Sequence, residues 1–340
     1  MPLSKSNIKP TQCELPSIDV VVNFVDEFGQ VGKAIKSLRK SRGVQVRILV
    51  IDDSGKDNSE FFSRLLNSDD LYKRSNRCGY INGLKLAKAF IESEFVGILN
   101  SDDISDKERL INQVTKLTTG LDVCVGRIVK FKWIPWFRLP SVSRSQNNGR
   151  YCPHLIYLGP LSADASWVMR RETYGILFES KFNSDWGIAL DNFNKLRVGI
   201  DLKSKYYYRQ HSKQITRDSP LLFTSECEFI QKSLTKNFNL KVENSFIVAL
   251  ATSWKLDAHV AIDLFEDFTL ELRKRHGSIC FNSRSFDREV VRRLLIAVLN
   301  PNNSGWWLLK VKILLKFPLD SIRLFSAIGI TLLLGTGRKS

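Results

Sequence analysis

The sequence predicts an α/β fold with a mostly parallel central sheet flanked by helices, followed by a helical C-terminal part. Three short apolar runs rich in β-branched residues lie at 18–24, 46–51 and 95–99. Segments with apolar residues at helical spacing separate these runs. Strands that are apolar along their whole length are buried on both faces, which is typical of a parallel sheet covered by helices.

Each element follows from its local pattern. In order, we expect strands at 18–24 (IDVVVNF), 46–51, 95–99 and 123–131, and helices at 32–40, 60–66, 83–91 and from 106 to about 117. Shorter elements are expected at 166–176, 184–195 and 206–209, and helices at 226–235, 244–256, 260–275 and 286–299. Residues 133–160 read as a long irregular loop, and such loops are usually functional.

The net charge of +16 is unevenly distributed over the 340 residues. Residues 1–110 carry 17 basic and 16 acidic side chains, whereas residues 125–217 carry 16 and 6, and the last sixty residues carry 10 and 3. This distribution argues against an N-terminal basic arm that binds DNA. The four His and six Cys have no zinc-finger spacing, so we expect no nucleic-acid partner.

The cysteines and the N-terminus bear on the compartment. The six cysteines show no paired spacing, and the first sixteen residues lack the apolar run of a signal peptide. We therefore expect a cytoplasmic protein with free thiols, most of them buried apolar groups.

Two acidic pairs follow predicted strands. Asp52 and Asp53 come after the second strand, and Asp102 and Asp103 come shortly after the third. Ligands of parallel α/β sheets bind beyond the carboxyl ends of the strands. Such carboxylates can hold a divalent cation that shares its remaining ligands with a phosphate, which suggests a diphosphate substrate and Lewis-acid catalysis. The alternative for a single pair is an ordinary solvated turn.

The sequence resembles the inverting family 2 glycosyltransferases with the GT-A fold, a Rossmann-like fold. The resemblance covers roughly residues 17–217. It is carried by IDVVVNF, AIKSL, VRILVIDDSGKD, NRCGYINGLKLAKAF, FVGILNSDD, SDW and YYYRQH, in that order. It implies a nucleotide-sugar donor, and a UDP-sugar is the donor we expect.

The resemblance implies roles for the two acidic pairs. Asp52 and Asp53 match the turn that contacts the base and ribose of the nucleotide. Asp102 and Asp103 match the motif that binds a Mn²⁺ or Mg²⁺ ion and the diphosphate. The usual first acid of that motif is replaced by Asn100, whose carbonyl or a bridging water could take its place.

An inverting transfer also needs a general base, which takes the proton of the acceptor hydroxyl as it attacks the anomeric carbon. Asp185 matches the base of the family. Asp191 lies six residues further along the predicted helix, so it should face elsewhere and be a surface residue. Asp164 is a further candidate for the base.

The resemblance extends to other polar residues. His211 matches a downstream position that could complete the metal site, with Arg209 as a phosphate partner. Asn82 lies in a compressed version of a donor-binding segment. Asp26, after the first strand, departs from the usual pattern, so it faces the nucleotide or has no role.

The C-terminal residues 306–317 and 319–334 are apolar but interrupted by Lys and Arg. Neither is long enough to span a bilayer. Cationic, Trp-containing amphipathic helices fit the headgroup region of an anionic membrane. Alternatively, these segments pack against the enzyme or a second copy of it.

We therefore expect a GT-A domain at 1–217, a helical region at 218–300 and an amphipathic tail at 301–340. The expected function is metal-dependent, inverting sugar transfer to a lipid-linked glycan acceptor at the inner face of the cell membrane, in cell-surface polysaccharide synthesis. The sequence leaves the oligomeric state undetermined. Two alternatives remain: a sugar nucleotidyltransferase, and a non-catalytic membrane-peripheral protein that keeps the fold.

Overall fold

The structure is a computed structural model that describes residues 15–131, 149–150, 163–182, 184–192, 195–209, 227–232 and 235. Across these ranges the strands form one sheet. The strands are β1 (Ser17–Phe24), β2 (Gln45–Asp52), β3 (Leu71–Arg74), β4 (Phe95–Asn100), β5 (Ile104–Ser105), β6 (Val123–Phe131), β7 (Gly149–Arg150), β8 (Trp167–Arg170) and β9 (Val198–Arg209). The helices are α1 (Phe28–Arg39), α2 (Ser59–Ser63), α3 (Tyr80–Ala87), α4 (Arg109–Thr118), α5 (Arg171–Leu177) and α6 (Asp185–Asn192).

The four N-terminal strands are parallel and end at the same edge. Strand β1 pairs with β2 and β4, and β2 pairs with β3. Phe24 lies opposite Asp52, and Asn23 lies opposite Asn100. The predicted strands at 18–24, 46–51, 95–99 and 123–131 are confirmed to within one residue at each end. The carboxyl ends of β1, β2 and β4 therefore form one polar edge.

The second half of the sheet is mixed. The strand order is β3-β2-β1-β4-β8-β6-β9-β5, with β7 beside β9. Strand β8 is antiparallel to both β4 and β6, whereas β6 and β9 are parallel. The mostly parallel sheet is confirmed, but the sequence pattern did not indicate β3, β5 or the antiparallel insertion of β8. These strands have four residues or fewer, too few to show a period.

Helices cover the sheet with the apolar faces that the sequence predicted. Helix α1 buries Val31, Ala34, Ile35 and Leu38, which recur at helical spacing. Each fully buried aliphatic side chain contributes about 1.5–3 kcal/mol of transfer free energy. Together with the buried strands they make one continuous core.

The amino end of the sheet is closed by a buried ion pair. The Asp19 carboxylate accepts hydrogen bonds from Arg47 Nε at 2.9 Å and Arg47 Nη2 at 2.8 Å. It also accepts from the Ser93 hydroxyl and from the backbone N–H groups of Glu92 and Ser93. Every donor is provided by the fold, so this pair is structural.

The predictions for residues 218–300 and 301–340, including the segments 306–317 and 319–334, lie almost wholly outside the described residues. Among the helices that the structure does describe, none combines the length and the apolar character needed to cross a bilayer.

Candidate functional site

The acidic turn after β2 begins with Asp52, which is 1% exposed. Its carboxylate accepts hydrogen bonds from Ser54 N at 2.9 Å, Asn58 Nδ2 at 2.9 Å and Tyr72 Oη at 2.7 Å. Burial, followed by the hydrogen bond to Asp52, raises the pKa of Tyr72 to about 12. Asp52 therefore acts mainly as an organiser of the turn that carries Asp53.

Asp53 joins the acidic turn to the loop between β3 and α3. Its carboxylate accepts hydrogen bonds from the Ser75 hydroxyl and from Gly79 N at 2.9 Å. Gly79 has φ of +87° and begins α3, a left-handed conformation that glycine adopts readily. This contact fixes the start of α3 relative to the acidic turn.

Arg77 is a cation in the same loop that the sequence argument missed. Arg77 and the preceding Asn76 have φ of +57° and +54°, a conformation that is costly for residues with a Cβ. Arg77 Nε donates to Ser54 O at 3.0 Å. A Cβ on Gly55 would lie 2.4 Å from Arg77 Nε, so only glycine leaves space for this side chain. The exposed guanidinium is thereby held against the acidic turn.

The second acidic pair follows β4. Asp103 is 1% exposed, and its carboxylate accepts hydrogen bonds from the Tyr206 hydroxyl, Arg209 N at 2.6 Å and Asn100 Nδ2 at 3.2 Å. Burial, and then the charge of Asp102, raises the pKa of Asp103 to about 7. The charge of Asp102 opposes ionisation of Asp103, and a divalent cation beside the pair would favour it; carboxylate oxygens are ligands that Mg²⁺ and Mn²⁺ accept.

Arg209 lies beside this pair at the end of β9. Its Nε donates to Asp102 O at 2.8 Å, and its guanidinium lies 4.7 Å from the centre of the Phe131 ring. This places the predicted phosphate partner next to the predicted metal motif. Behind it, the fully buried Arg109 lies 5.0 Å from the Tyr206 ring, which gives the acidic pair a nearby positive charge.

Asp164 immediately precedes β8 and reaches the carboxyl end of β4. It is 3% exposed, and its Oδ1 accepts hydrogen bonds from Tyr80 Oη at 2.9 Å and Ala165 N at 2.7 Å. The Tyr80 hydroxyl also lies 3.1 Å from Asn100 Oδ1. Burial, and then the charge of Asp185, raises the pKa of Asp164 to about 7.

Asp185 begins α6. Ser184 Oγ accepts from Gly187 N at 2.9 Å, which caps the helix, and Asp185 Oδ1 accepts from Trp186 N at 2.8 Å. A carboxylate at a helix N-terminus is favoured in its ionised form. Asp185 is half-buried, and its charge acts on Asp164 and on Tyr80, so it lies near both. Asp191, predicted to be a surface residue, is half-buried and accepts from Ser180 Oγ at 3.0 Å.

The remaining predicted site residues are less closely involved. Asn82 is exposed, and its Nδ2 donates to Cys78 O at 2.8 Å, within the start of α3. Asp26 is exposed on the loop after β1, with its Oδ1 4.0 Å from Lys56 Nζ. His211 lies outside the described residues. Within the described parts of the chain, no three His, Cys, Asp or Glu side chains converge as a preformed metal cage.

The structure thus brings most of the predicted site residues to one edge of the sheet. The acidic turn, the acidic pair after β4, Arg209 and Asp185 all lie there. Sequence reasoning missed Arg77 and Tyr80, although NRCGY stands in the segment that it singled out. An arginine in a loop and a tyrosine at the first position of a helix carry no periodic signal, so only their contacts show what they do.

Comparisons with known proteins agree with this geometry. Residues 19–173 match the model of the family described as Glycosyl transferase family 2. Among solved structures, residues 1–349 of S. aureus TarS in complex with UDP-GlcNAc align with a TM-score of 0.51 at 16% identity, covering 83% of this chain and 90% of that chain. The same TarS fragment without a named ligand aligns at 17% identity, with a TM-score of 0.49 and coverage of 95% and 92%.

At these identities the structural likeness establishes the fold alone. The comparison with curated proteins returned no significant match.

Proposed function

Because residues 19–173 place this chain in glycosyltransferase family 2, we propose that it transfers a sugar from a UDP-sugar to a hydroxyl group of a glycan acceptor, with inversion at the anomeric carbon. One observation carries the proposal: the acidic turn of Asp52 and Asp53, the pair Asp102 and Asp103, and Asp185 meet at the carboxyl edge of one sheet. The TarS fragment of the same fold, solved with UDP-GlcNAc, supports a uridine nucleotide as the donor.

The donor would lie along the edge from β2 to β4. Asp53 and the exposed Arg77 flank the turn where the base and ribose of the nucleotide would bind. The guanidinium of Arg209, beside Asp102, would face the diphosphate. Cationic groups thus stand on both sides of the acidic edge, as binding of an anionic donor requires.

Asp102 and Asp103, completed by His211, would hold a Mg²⁺ or Mn²⁺ ion. When bound, the ion would neutralise charge on the leaving diphosphate. Asp102→Ala should then remove the response of transfer to added Mn²⁺, whereas Asp26→Ala, in the loop after β1, should keep it. Full transfer by Asp102→Ala with unchanged Mn²⁺ dependence would contradict this assignment.

Asp185 is the proposed general base. Its carboxylate takes the proton of the acceptor hydroxyl while that oxygen forms a bond to the anomeric carbon. On the opposite face, the bond from this carbon to the diphosphate oxygen breaks, and the electron pair leaves with the nucleotide. The half-buried position leaves the carboxylate accessible to an acceptor, and a helix N-terminus favours negative charge.

The test is Asp185→Asn, with Asp191→Asn on the same helix as the matched control. Since general-base catalysis typically contributes about 10²–10⁴-fold, Asp185→Asn should lose about that factor in turnover of UDP-GlcNAc. Binding of UDP, measured by calorimetry, should remain close to that of the wild type. If Asp185→Asn keeps full turnover, or loses UDP binding instead, Asp185 is not the base.

The acceptor and the location complete the proposal. The basic, Trp-containing residues 301–340 would hold the enzyme at the cytoplasmic face of an anionic membrane, where a lipid-linked acceptor lies, in cell-surface polysaccharide synthesis. Binding to vesicles containing phosphatidylglycerol should be salt-sensitive and should be lost on truncation after Asn300. If the truncated chain binds these vesicles as well as the full chain does, the proposed role of residues 301–340 is wrong.

A further inference from the structure

Asp164 is a buried carboxyl group to which the proposed mechanism gives no task. Its Oδ1 accepts two hydrogen bonds, from the Tyr80 hydroxyl and from its neighbour Ala165 N. Its Oδ2 is inaccessible to solvent and has no hydrogen-bond partner among the described residues. A buried oxygen of an ionised carboxylate without a donor is costly, so this oxygen is a natural position for a proton.

Among the described residues, Asp164 has carboxylate charge in its surroundings but no ion pair with a cationic side chain. The charge of Asp185 is, after burial, the main influence that opposes ionisation of Asp164. Two carboxyl groups that oppose each other's ionisation in a buried setting do not both ionise readily, and one of them keeps a proton. Asp185 is half-buried and has the N-terminus of α6 to favour its charge, whereas Asp164 is 3% exposed. The proton therefore belongs on Asp164.

We propose that Asp164 is a positioning residue that stays protonated on Oδ2 and, held by its hydrogen bond from Tyr80, keeps the neighbouring Asp185 ionised and oriented toward the acceptor. The inference rests on the proposed role of Asp185 as the base. Asp164 is not itself the base, because its buried carboxyl group is out of reach of an acceptor hydroxyl. When Asp185 takes the acceptor's proton, both carboxyl groups are briefly protonated, and Asp185, the more exposed, returns its proton to water.

The Tyr80 hydroxyl provides the link to the rest of the site. It lies 2.9 Å from Asp164 Oδ1 and 3.1 Å from Asn100 Oδ1. It can donate its one proton to only one of them at a time. Asn100 also donates from Nδ2 to the Asp103 carboxylate at 3.2 Å. The Tyr80 hydroxyl thus lies between the acidic pair after β4 and the neighbour of the proposed base, and its one proton can be donated to either side.

The experiment compares Asp164→Asn, Asp164→Ala and Tyr80→Phe by infrared spectroscopy and by turnover of UDP-GlcNAc. The wild type near pH 6 should show the C=O stretch of a neutral buried carboxylic acid that Asp164→Asn lacks. Asp164→Asn retains an uncharged donor at the same position, so its kcat should fall by no more than about threefold. Asp164→Ala should lose about tenfold or more in kcat with little change in the KM for UDP-GlcNAc, since a displaced base slows the chemical step.

Tyr80→Phe keeps the ring and removes only the link, so it should lower kcat in the same direction as Asp164→Ala, by a smaller factor. Tyr80→Phe also tests the proposal if the Asp164→Ala variant does not fold.

Failure of the proposal for Asp164 can be distinguished from failure of the proposed function. If the infrared band is absent from the wild type, or if Asp164→Asn loses as much kcat as Asp185→Asn, the inference is wrong. The infrared result does not depend on turnover. Full activity of Asp185→Asn would instead overturn the proposed function, whatever the band of Asp164 shows.

Discussion

Two buried aspartates at opposite ends of the sheet have pKa values that are shifted in opposite directions. Asp19, at the amino end, is 0% exposed, and Asp164, at the carboxyl edge, is 3% exposed. Burial raises the pKa of Asp19, but hydrogen bonds from Arg47, Ser93 and the backbone outweigh it, and the net pKa is below the ordinary value. Burial and the charge of Asp185 raise the pKa of Asp164 to about 7.

The difference shows how a structural carboxylate is distinguished from one that belongs to a site. At the amino end the fold provides a donor for both oxygens of Asp19. At the carboxyl edge, Asp103 also has donors on both oxygens but lies beside Asp102, and Asp164 is opposed by the charge of Asp185 and has one oxygen without a donor among the described residues. Perturbed carboxyl groups that lack a direct cation are the kind that cluster at functional sites.

Removing Asp19 should have the largest effect on stability. Asp19→Ala leaves Arg47 Nε and two backbone N–H groups without their acceptor, and loss of one partner of a buried ion pair costs about 3–5 kcal/mol. Urea denaturation should show this loss. As the control, Glu92→Gln, which removes the exposed partner of Arg47, should change little. If Asp19→Ala lowers the free energy of unfolding by no more than Glu92→Gln does, the buried pair of Asp19 and Arg47 does not stabilise the fold.

Removing Asp52 tests a carboxylate at the carboxyl edge whose partners are all hydrogen-bond donors. Asp52→Ala leaves the donors of Ser54, Asn58 and Tyr72 without an acceptor, so the free energy of unfolding should fall by about 1–3 kcal/mol. Asp69→Ala, an exposed carboxylate before β3, is the matched control. Equal stability of the two variants would show that the turn does not depend on Asp52.

The pH dependence of stability should have opposite signs for the two buried aspartates. The folded pKa of Asp19 is below its unfolded value, so its stabilisation is present above about pH 4 and is lost as the pH falls through the folded pKa. The folded pKa of Asp164 is above its unfolded value, so the stability that protonation contributes is lost as the pH rises toward 7. Asp164→Asn should therefore gain stability relative to the wild type between pH 4 and pH 7.

Thermal unfolding at pH 4, 5.5 and 7 measures this effect, and the amide of Asp164→Asn retains the acceptor for Tyr80, so the variant isolates the effect of the charge. A difference that is constant with pH, or that shrinks toward pH 7, would refute the assignment of the proton to Asp164.

The smallest effect is expected for a surface pair. Arg170 Nη1 lies 2.8 Å from Glu94 Oε1, and the Glu94 side chain is 65% exposed. Such pairs contribute about 0–1 kcal/mol, so Glu94→Gln should be nearly neutral and insensitive to added salt above about 0.15 M. A loss as large as that of Asp19→Ala would break the distinction between buried and exposed ion pairs.

Local patterns in the sequence were sufficient for much of the fold. The apolar runs at 18–24, 46–51, 95–99 and 123–131 correspond to four strands, because a continuous apolar run rich in β-branched residues is evident over a few residues. The acidic groups at Asp52 and Asp102 were placed at the carboxyl edge by the same reasoning, since parallel strands end together.

What the sequence by itself determined was therefore the parallel half of the sheet, the acids that follow its strands and, through the resemblance, the family whose model residues 19–173 match. Only the tertiary structure decided which carboxylates are paired with an arginine, as Asp19 is, and which are opposed by another carboxylate, as Asp103 and Asp164 are. The insertion of β8 antiparallel to β4 brings Asp164 to Tyr80 across 84 residues of chain. The physical reason is that a carboxyl group's charge depends on burial and on neighbours from distant segments, and no local period encodes either.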